Sequence, residues 1–409
     1  MNTATKDNKL KKILLGIFIF ALFLRLLAVV VQEESKKLPL SDAAHYDQIA
    51  MNIVSGYGFS EIIDGQKVLT MRRTPVYPLF LAGIYSIFGH NYFAVKIIQA
   101  ILGALFCIVI FLIANIIYDN RIIGIMASMA VAMYRPFISG FYYYGGPGLL
   151  LTECFYMFIA GLAILTLLSF IKNEKNGILA GILIGLTVLT RPDFIFFLVV
   201  LTFYLIYIAR RSIAKLFKKY FLVYVFIILT MAPWVARNYL VSGKFVPLTS
   251  LGGLVFWCGN NTAASGGWAN PENFMGKVYS MENISDYERN RIWFRKGIEE
   301  LKSNPKRIPG LFIKKILVHW APFEERFAIF NPYYAIVLLF SSIGILFFRK
   351  HSVLENILLL LFFSTTLRAI IIWGDPRYRY PDEPYLIIFA ALTIYKIVTK
   401  QRGVLDCEK

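Results

Sequence analysis

The sequence predicts an all-α polytopic membrane protein, and three observations support this class. The 409-residue chain is 57% hydrophobic and only 17% charged, which is far from the composition of a soluble globular protein. The apolar residues form about ten runs that we interpret as membrane-spanning helices. Lysines and arginines cluster in short loops between these runs, as they do on the cytoplasmic side of membranes. The formal charge of +18 therefore reflects membrane topology, and no nucleic-acid partner is expected.

The spans follow in order from four lysines between residues 6 and 12, which place the N-terminus in the cytoplasm. The predicted spans cover about residues 13–31, 93–117, 122–134, 149–171, 177–190, 194–209, 220–234, 333–348, 353–373 and 385–398. This number of spans puts both termini inside, together with the basic loop 210–219. We expect the protein in the inner or plasma membrane, in contact with membrane lipids.

Two large loops are predicted on the outer face of a single domain that covers residues 1–409. The first large loop is residues 32–92, and the second large loop is residues 237–331. In the first, Ser41 is a candidate N-cap and Gly56 a candidate stop for a short amphipathic helix on the membrane surface.

Three further segments are expected in or on the outer interface. Residues 75–88 are apolar but too short for the roughly 20 residues that a span needs. Residues 286–303 form a charged pattern typical of a surface helix, and residues 308–320 form an amphipathic one. The run Gly259-Asn260-Asn261 indicates a turn or a close approach between backbones.

Ionisable side chains concentrate at the predicted outer face, where their desolvation cost favours a functional role. These residues are Asp42, His45, Asp47, Arg72, Arg73, Arg135, Glu153, Arg191, Arg237, Arg377, Arg379, Asp382 and Glu383. Acidic side chains beside several arginines suit a transfer reaction from a lipid phosphate. The arginines would bind the phosphate as charge develops on the leaving group, and a carboxylate would take the proton of an acceptor hydroxyl.

The acid that acts as base is not decided by the helical pattern, since Asp42 borders the polar arc of the first-loop helix and Asp47 falls within its apolar arc. The residues expected to bind the donor phosphate are Arg72, Arg73, Arg237, Arg377 and Arg379. The residues expected to line the substrate pocket are Tyr46, His45, Tyr77, Asn260 and Asn261.

A metal site is not predicted, because no CxxC spacing and no second histidine accompany His45. His45 lies one helical turn from Asp42, so a divalent metal held by this pair is the alternative.

These residues resemble a known family at several motifs. The first-loop motifs are Asp42-Ala43-x-x-Tyr46-Asp47-x-x-Ala50-x-Asn52-x-x-x-Gly56-x-Gly58-Phe59 and Arg73-Thr74-Pro75-x-Tyr77-Pro78-Leu79-Phe80-Leu81. Later motifs are Leu189-Thr190-Arg191-Pro192, Ala232-Pro233-Trp234-x-x-Arg237-Asn238-Tyr239, Gly259-Asn260-Asn261 and Arg377-Tyr378-Arg379-x-Pro381. Together they resemble bacterial glycosyltransferase family 39-type proteins, relatives of the dolichyl-phosphate-mannose protein mannosyltransferases and the lipid A aminoarabinose transferases.

The resemblance implies a GT-C fold and inverting transfer of a sugar from a polyprenyl-phosphate donor at the outer face. It implies that the base is the first-loop aspartate, which matches Asp42, and that Arg73 contacts the donor phosphate. Glu153 resembles the second acidic position of the family. The acceptor implied is a hydroxyl of a lipid, a glycan or a protein.

Two alternative functions remain open from the sequence. A transporter or flippase of a lipid-linked anion predicts charges near the bilayer midplane and two related halves, and neither pattern is present in the sequence. A glycan polymerase or ligase with a lipid-linked oligosaccharide donor would use the same motifs, because loop shape decides which acceptor fits.

Overall fold

The computed structural model describes residues 3–31, 42–63, 65–139, 146–210, 212–270, 284–324 and 328–407. Its helices are α1 Thr3–Val31, α2 Asp42–Val54, α3 Val76–Phe88, α4 Tyr92–Tyr118, α5 Arg121–Met133, α6 Arg135–Ser139, α7 Thr152–Asn173, α8 Gly177–Thr190, α9 Ile195–Ile208, α10 Ile213–Ser242, α11 Gly252–Asn260, α12 Asp286–Ser303, α13 Ile308–Trp320, α14 Pro332–Ile343, α15 Val353–Ile371, α16 Pro376–Arg379 and α17 Glu383–Cys407. Two short antiparallel hairpins pair β1 Ser60–Ile63 with β2 Gln66–Leu69 and β3 Phe323–Glu324 with β4 Ile329–Phe330. The predicted all-α class is confirmed.

Within the described ranges, five helices are long and apolar enough to cross a membrane: α1, α4, α7, α10 and α15. Shorter apolar helical segments are Val76–Phe88, Arg121–Met133, Gly177–Thr190, Pro192–Ile208 and Pro332–Phe348. Four of these shorter segments coincide with predicted spans, and the remaining one, Val76–Phe88, is the segment judged too short to cross. The tenth predicted span lies within α17.

Helix packing builds one core around α4, which contacts α1, α5 and α7. The bundle continues from α7 to α8 and from α8 to α10, while α17 packs against α14 and α5. Small residues allow the closest approaches, as in many membrane helix pairs. A Cβ on Gly181 would lie 2.4 Å from the carbonyl oxygen of Val223, so this glycine sets the contact between α8 and α10.

The second large loop folds into α11, α12 and α13, which form a layer against the bundle. Trp257 of α11 stacks on Trp293 of α12 with ring centroids 4.4 Å apart. A Cβ on Gly259 would lie 1.8 Å from the carbonyl oxygen of Ile372, so α11 is pressed against the end of α15. The close backbone approach predicted at this glycine is therefore present.

Two features differ from the sequence prediction. The basic loop 210–219 is mostly helical, because α10 begins at Ile213, and its residues Ile-Ala-Lys-Leu-Phe-Lys-Lys contain no helix breaker. The β1–β2 hairpin was missed, although the Asp64-Gly65 pair between two short strand-like runs is a recognised hairpin signal. The predicted N-cap Ser41 and parts of both large loops, residues 32–41, 271–283 and 325–327, lie outside the described residues.

Candidate active site

A cavity of about 410 Å³ lies where the first large loop meets the helical bundle and the second large loop. Its charged lining consists of Asp42, Arg72, Arg73, Arg191, Asp193, Arg368 and Arg377. Its apolar lining includes Ile195, Phe196, Leu248, Leu251, Val255 and Ile372. Five arginines and two aspartates thus line one cavity together with several apolar side chains.

Asp42 begins α2, so its carboxylate lies in the first turn, where the helix dipole favours negative charge. One carboxylate oxygen accepts a 2.6 Å hydrogen bond from Arg73 Nη2, and the other accepts a 2.9 Å hydrogen bond from Arg377 Nη1. Burial raises the pKa of Asp42, but the positive charges and hydrogen bonds of Arg73 and Arg377 outweigh burial and hold it well below the usual carboxyl range. Asp42 is therefore ionised at neutral pH.

Glu153, in the first turn of α7, is 2% exposed and shares Arg377 with Asp42. Arg377 Nε donates to Glu153 Oε1, and Arg191 Nη1 lies 3.6 Å from the same oxygen. Buried charges need such partners, because desolvation of an unpaired carboxylate is costly. We call Asp42, Arg73, Glu153 and Arg377 the Asp42 cluster.

A second group of charges lies on the same cavity and was not predicted as a site. Asp193 accepts from Arg191 Nε at 3.4 Å and lies 4.0 Å from Arg368 Nε. Both guanidinium groups stack on the ring of Tyr378. We call Asp193, Arg191, Arg368 and Tyr378 the Asp193 cluster. The signals available in the sequence were Arg191, already among the ionisable residues at the predicted outer face, and Arg368, a charged residue inside a run interpreted as a span.

His45 contacts the Asp42 cluster through Arg73. Its Nδ1 accepts a 3.0 Å hydrogen bond from Arg73 Nε, so the proton is on Nε2, which lies 2.8 Å from Glu61. Arg72 lines the cavity, and its guanidinium also contacts Glu61 and Asp286. The predicted pocket residue His45 thus orients Arg73.

Asp47 lies outside this cavity, within the packing between α2, α3 and α4. Its carboxylate accepts hydrogen bonds from Tyr85 at 2.6 Å and Tyr92 at 2.9 Å, and it contacts His90 Nε2 at 2.9 Å. The structure therefore separates the two aspartates of α2 that the helical pattern could not distinguish.

Two of the five predicted phosphate-binding arginines are not among the residues that line the cavity. Arg237 donates to the backbone carbonyl oxygens of Thr70 and Phe59, which ties α10 to the first large loop. Arg379 is fully buried and pairs with Glu324 at 2.9 Å and Glu383 at 3.0 Å. These guanidinium groups hold the fold together, whereas Arg72, Arg73 and Arg377 line the cavity.

Of the remaining predicted pocket residues, Tyr46 lines the cavity, and Arg73 Cζ lies 4.8 Å from the centroid of its ring. Tyr77 is buried, donates to Gln99 and contacts the ring of Tyr46, but is not itself among the residues that line the cavity. Asn260 donates to the carbonyl oxygens of Phe256 and Ile371, and Asn261 to those of Cys258 and Ala269. Both asparagines therefore fix the backbone of α11 and the loop that follows it.

The described residues contain no group of three or more histidine, cysteine, aspartate or glutamate side chains arranged to hold a metal ion. In particular, His45 and Asp42 both bond to Arg73, which occupies the space between them. Whether the protein binds a divalent metal is therefore still a prediction from the sequence.

Comparison with known proteins identifies the fold of this chain. Residues 72–236 match the family model of the dolichyl-phosphate-mannose-protein mannosyltransferases. The oligosaccharyltransferase of Archaeoglobus fulgidus, tethered to an acceptor peptide, superposes with a TM-score of 0.62 at 14% identity, over 98% of this chain and 51% of that one. The chain has the GT-C fold. The fold implied by the sequence resemblance is therefore confirmed.

Two further structures show the range of similarity. AglB of the same archaeon, in complex with an inhibitory peptide and a dolichol-phosphate, gives a TM-score of 0.62 at 15% identity, over 98% of this chain and 52% of that one. ArnT from Cupriavidus metallidurans, bound to undecaprenyl phosphate, gives 0.45 at 12% identity, over 99% and 80%. The chain spans about half the length of the oligosaccharyltransferase. A search of curated protein sequences finds no match.

Proposed function

We propose that the protein transfers a sugar from a polyprenyl-phosphate donor to a hydroxyl of a lipid, glycan or protein acceptor at the outer face of the membrane. The observation that carries this proposal is Asp42, an ionised carboxylate held by two arginines on the wall of a cavity. Lipid-phosphate transfer needs a base, cations for the phosphate and an apolar surface for the prenyl chain, and the cavity has all three. AglB, which shares this fold, was captured with dolichol-phosphate.

Asp42 acts as the general base in this scheme. Its carboxylate takes the proton of the acceptor hydroxyl while the hydroxyl oxygen bonds to the anomeric carbon of the sugar. The bond from that carbon to the phosphate oxygen breaks, and the polyprenyl phosphate leaves with the bonding electrons. Attack from the face opposite the phosphate inverts the anomeric configuration. Arginines on the cavity wall stabilise the charge that develops on the leaving phosphate.

The apolar wall of the cavity suits the prenyl chain. Ile195 and Phe196 belong to α9 and Val255 belongs to α11, and Leu251 and Ile372 line the same cavity. Burial of a hydrocarbon chain there contributes roughly 25 cal/mol for each Å² removed from water. The wall therefore binds the part of the donor that does not react, and the charged groups are left to act on the phosphate and the sugar.

The experiment that tests the function uses the purified protein in proteoliposomes with polyprenyl-phosphate-linked radiolabelled sugars and, as acceptor, a detergent extract of membranes that contains lipids, glycans and proteins. We expect release of free polyprenyl phosphate and appearance of label in a new glycolipid or glycoprotein. A strain that lacks the protein should lose one glycan modification, visible by mass spectrometry. Movement of the intact lipid-linked sugar between leaflets, with no transfer, would contradict the proposal and favour a flippase.

A further inference from the structure

The arginines nearest to Asp42 are already engaged. Arg73 and Arg377 bond to the two oxygens of Asp42 at 2.6 and 2.9 Å, distances typical of charge-assisted hydrogen bonds. Arg377 also donates to Glu153. A phosphate bound by Arg73 and Arg377 would lie next to the Asp42 carboxylate. Two neighbouring anions repel each other.

The geometry of an inverting displacement also argues against phosphate binding by Arg73 and Arg377. In an inverting displacement the base and the leaving group lie on opposite faces of the anomeric carbon. If Asp42 is the base, the phosphate needs donors on another part of the cavity wall. This step rests on the transferase function proposed above.

The Asp193 cluster supplies such donors. Arg191 and Arg368 line the cavity, yet their contacts to Asp193 are 3.4 and 4.0 Å, and the second exceeds hydrogen-bond distance. Arg191 is only 6% exposed, and its Nη1 has no hydrogen-bond partner anywhere in the described parts of the chain. Arg191 Nη1 lies 3.6 Å from Glu153 Oε1, which is beyond hydrogen-bond distance. A buried guanidinium N–H without a partner is costly, and an anionic ligand would satisfy it.

Contacts with aromatic rings fix the orientation of both guanidinium groups. Arg368 Cζ lies 3.4 Å from the ring centroid of Tyr378, and Arg191 Cζ lies 4.9 Å from the same centroid. Arg191 also lies 5.2 Å from the ring centroid of Tyr156. Cation–π stacking fixes the planes of both groups. One N–H of each is used within the protein, since Arg191 Nε donates to Asp193 at 3.4 Å and Arg368 Nη1 donates to the carbonyl oxygen of Trp373 at 3.3 Å. Donors fixed in advance stabilise developing charge without reorganisation at the moment of reaction.

We propose that the phosphate of the lipid donor binds to Arg191 and Arg368 of the Asp193 cluster, and that Arg73 and Arg377 serve to hold Asp42. The two clusters then divide the cavity between the leaving group and the base. The ligand class for the Asp193 cluster is a prenyl phosphate monoester, the product that leaves in the transfer.

The test measures binding of farnesyl phosphate to the purified protein by calorimetry, with farnesol as the uncharged control. Arg191→Gln and Arg368→Gln should each weaken farnesyl phosphate binding about tenfold or more, because each removes a hydrogen bond to a charged ligand. Arg73→Gln should change it less than about threefold. Equal binding by wild type and both Asp193-cluster variants, or a larger loss in Arg73→Gln, overturns the proposal.

Farnesol affinity and the melting temperature report whether each variant keeps its cavity. If Arg191→Gln does not fold, Arg191→Lys replaces it, since lysine keeps the charge but loses the fixed fork of donors; its affinity should lie between those of wild type and Arg368→Gln. Binding needs no sugar, so a loss confined to the Asp193 cluster supports the phosphate site even in a protein that transfers nothing. Absence of transfer with normal phosphate binding would count against the proposed function alone.

Discussion

Arg377 and Asp42 lie 335 positions apart in the chain, yet Arg377 Nη1 donates a 2.9 Å hydrogen bond to the Asp42 carboxylate. The same guanidinium donates to Glu153 at the start of α7. One side chain from the segment between α15 and α17 therefore joins the first large loop to the bundle. The arrangement around Asp42 forms only when the whole chain has folded.

The pH dependence of catalysis follows from this contact. In the wild type, burial raises the pKa of Asp42, but Arg73 and Arg377 lower it by more than burial raises it, so the proposed base stays ionised as the pH falls. Arg73→Gln removes one of the two cations, and the pKa should rise. The acid limb of the kcat/KM profile should therefore move to higher pH. Arg72→Gln is the control, because Arg72 pairs with Glu61 and Asp286 and should leave that limb in place. An unmoved limb in Arg73→Gln would be inconsistent with Asp42 as the base.

Asp47→Asn should affect stability more than chemistry. The Asp47 carboxylate accepts from two tyrosine hydroxyls, and the amide group of asparagine can satisfy only one of them with its oxygen. The free energy of unfolding should fall by roughly 1–3 kcal/mol. Thermal unfolding in detergent measures this change, and turnover per folded molecule should stay within about threefold of wild type. Full stability combined with lost turnover would show that Asp47 takes part in the reaction.

Arg379→Ala should impair folding. Arg379, Glu324 and Glu383 are buried together, and removal of the cation leaves two buried carboxylates without it. Breaking a buried pair in this way costs about 3–5 kcal/mol. Arg121→Ala removes an exposed ion pair with Asp7 and should cost at most about 1 kcal/mol. Folded yield and melting temperature give the comparison. A stable Arg379→Ala protein that has lost only donor affinity would restore Arg379 as a phosphate ligand.

Gly259→Ala tests the contact between α11 and α15. The new Cβ would lie 1.8 Å from the carbonyl oxygen of Ile372, so one backbone must move. Overpacking of this kind costs roughly 1–3 kcal/mol. At Gly252, the first residue of the same helix, the nearest atom to a new Cβ is 3.9 Å away, and Gly252→Ala should leave the melting temperature unchanged or slightly higher. Equal melting temperatures of the two variants would exclude this close approach.

The sequence was most informative about the helices, because apolar runs of the right length have few other structures open to them. The run predicted as span 353–373 became α15, Val353–Ile371. The same pattern concealed Arg368, which the prediction placed inside the membrane without a role. Helical periodicity cannot show that α15 turns this side chain toward Asp193 and Tyr378, since those partners come from distant segments.

Proximity in sequence was a poor guide to which arginines share the site. Arg377 and Arg379 belong to one Pro-flanked motif, and both were expected to bind phosphate. In the structure they lie on α16, where residues two positions apart face different directions. Arg377 reaches Asp42, whereas Arg379 is buried against Glu324. A helical reading of those four residues would have separated them, but their buried partners could be identified only in three dimensions.

The rate of sugar transfer by purified Asp42→Asn shows directly whether Asp42 is the general base. Asparagine has nearly the shape of aspartate but cannot take the proton of the acceptor hydroxyl. We expect a rate lower by about 10²–10⁴, the usual contribution of a general base, with folded yield and farnesyl phosphate binding near wild type. A folded Asp42→Asn protein that keeps more than about a tenth of the wild-type rate, which is a smaller loss than removal of a general base produces, would contradict this role.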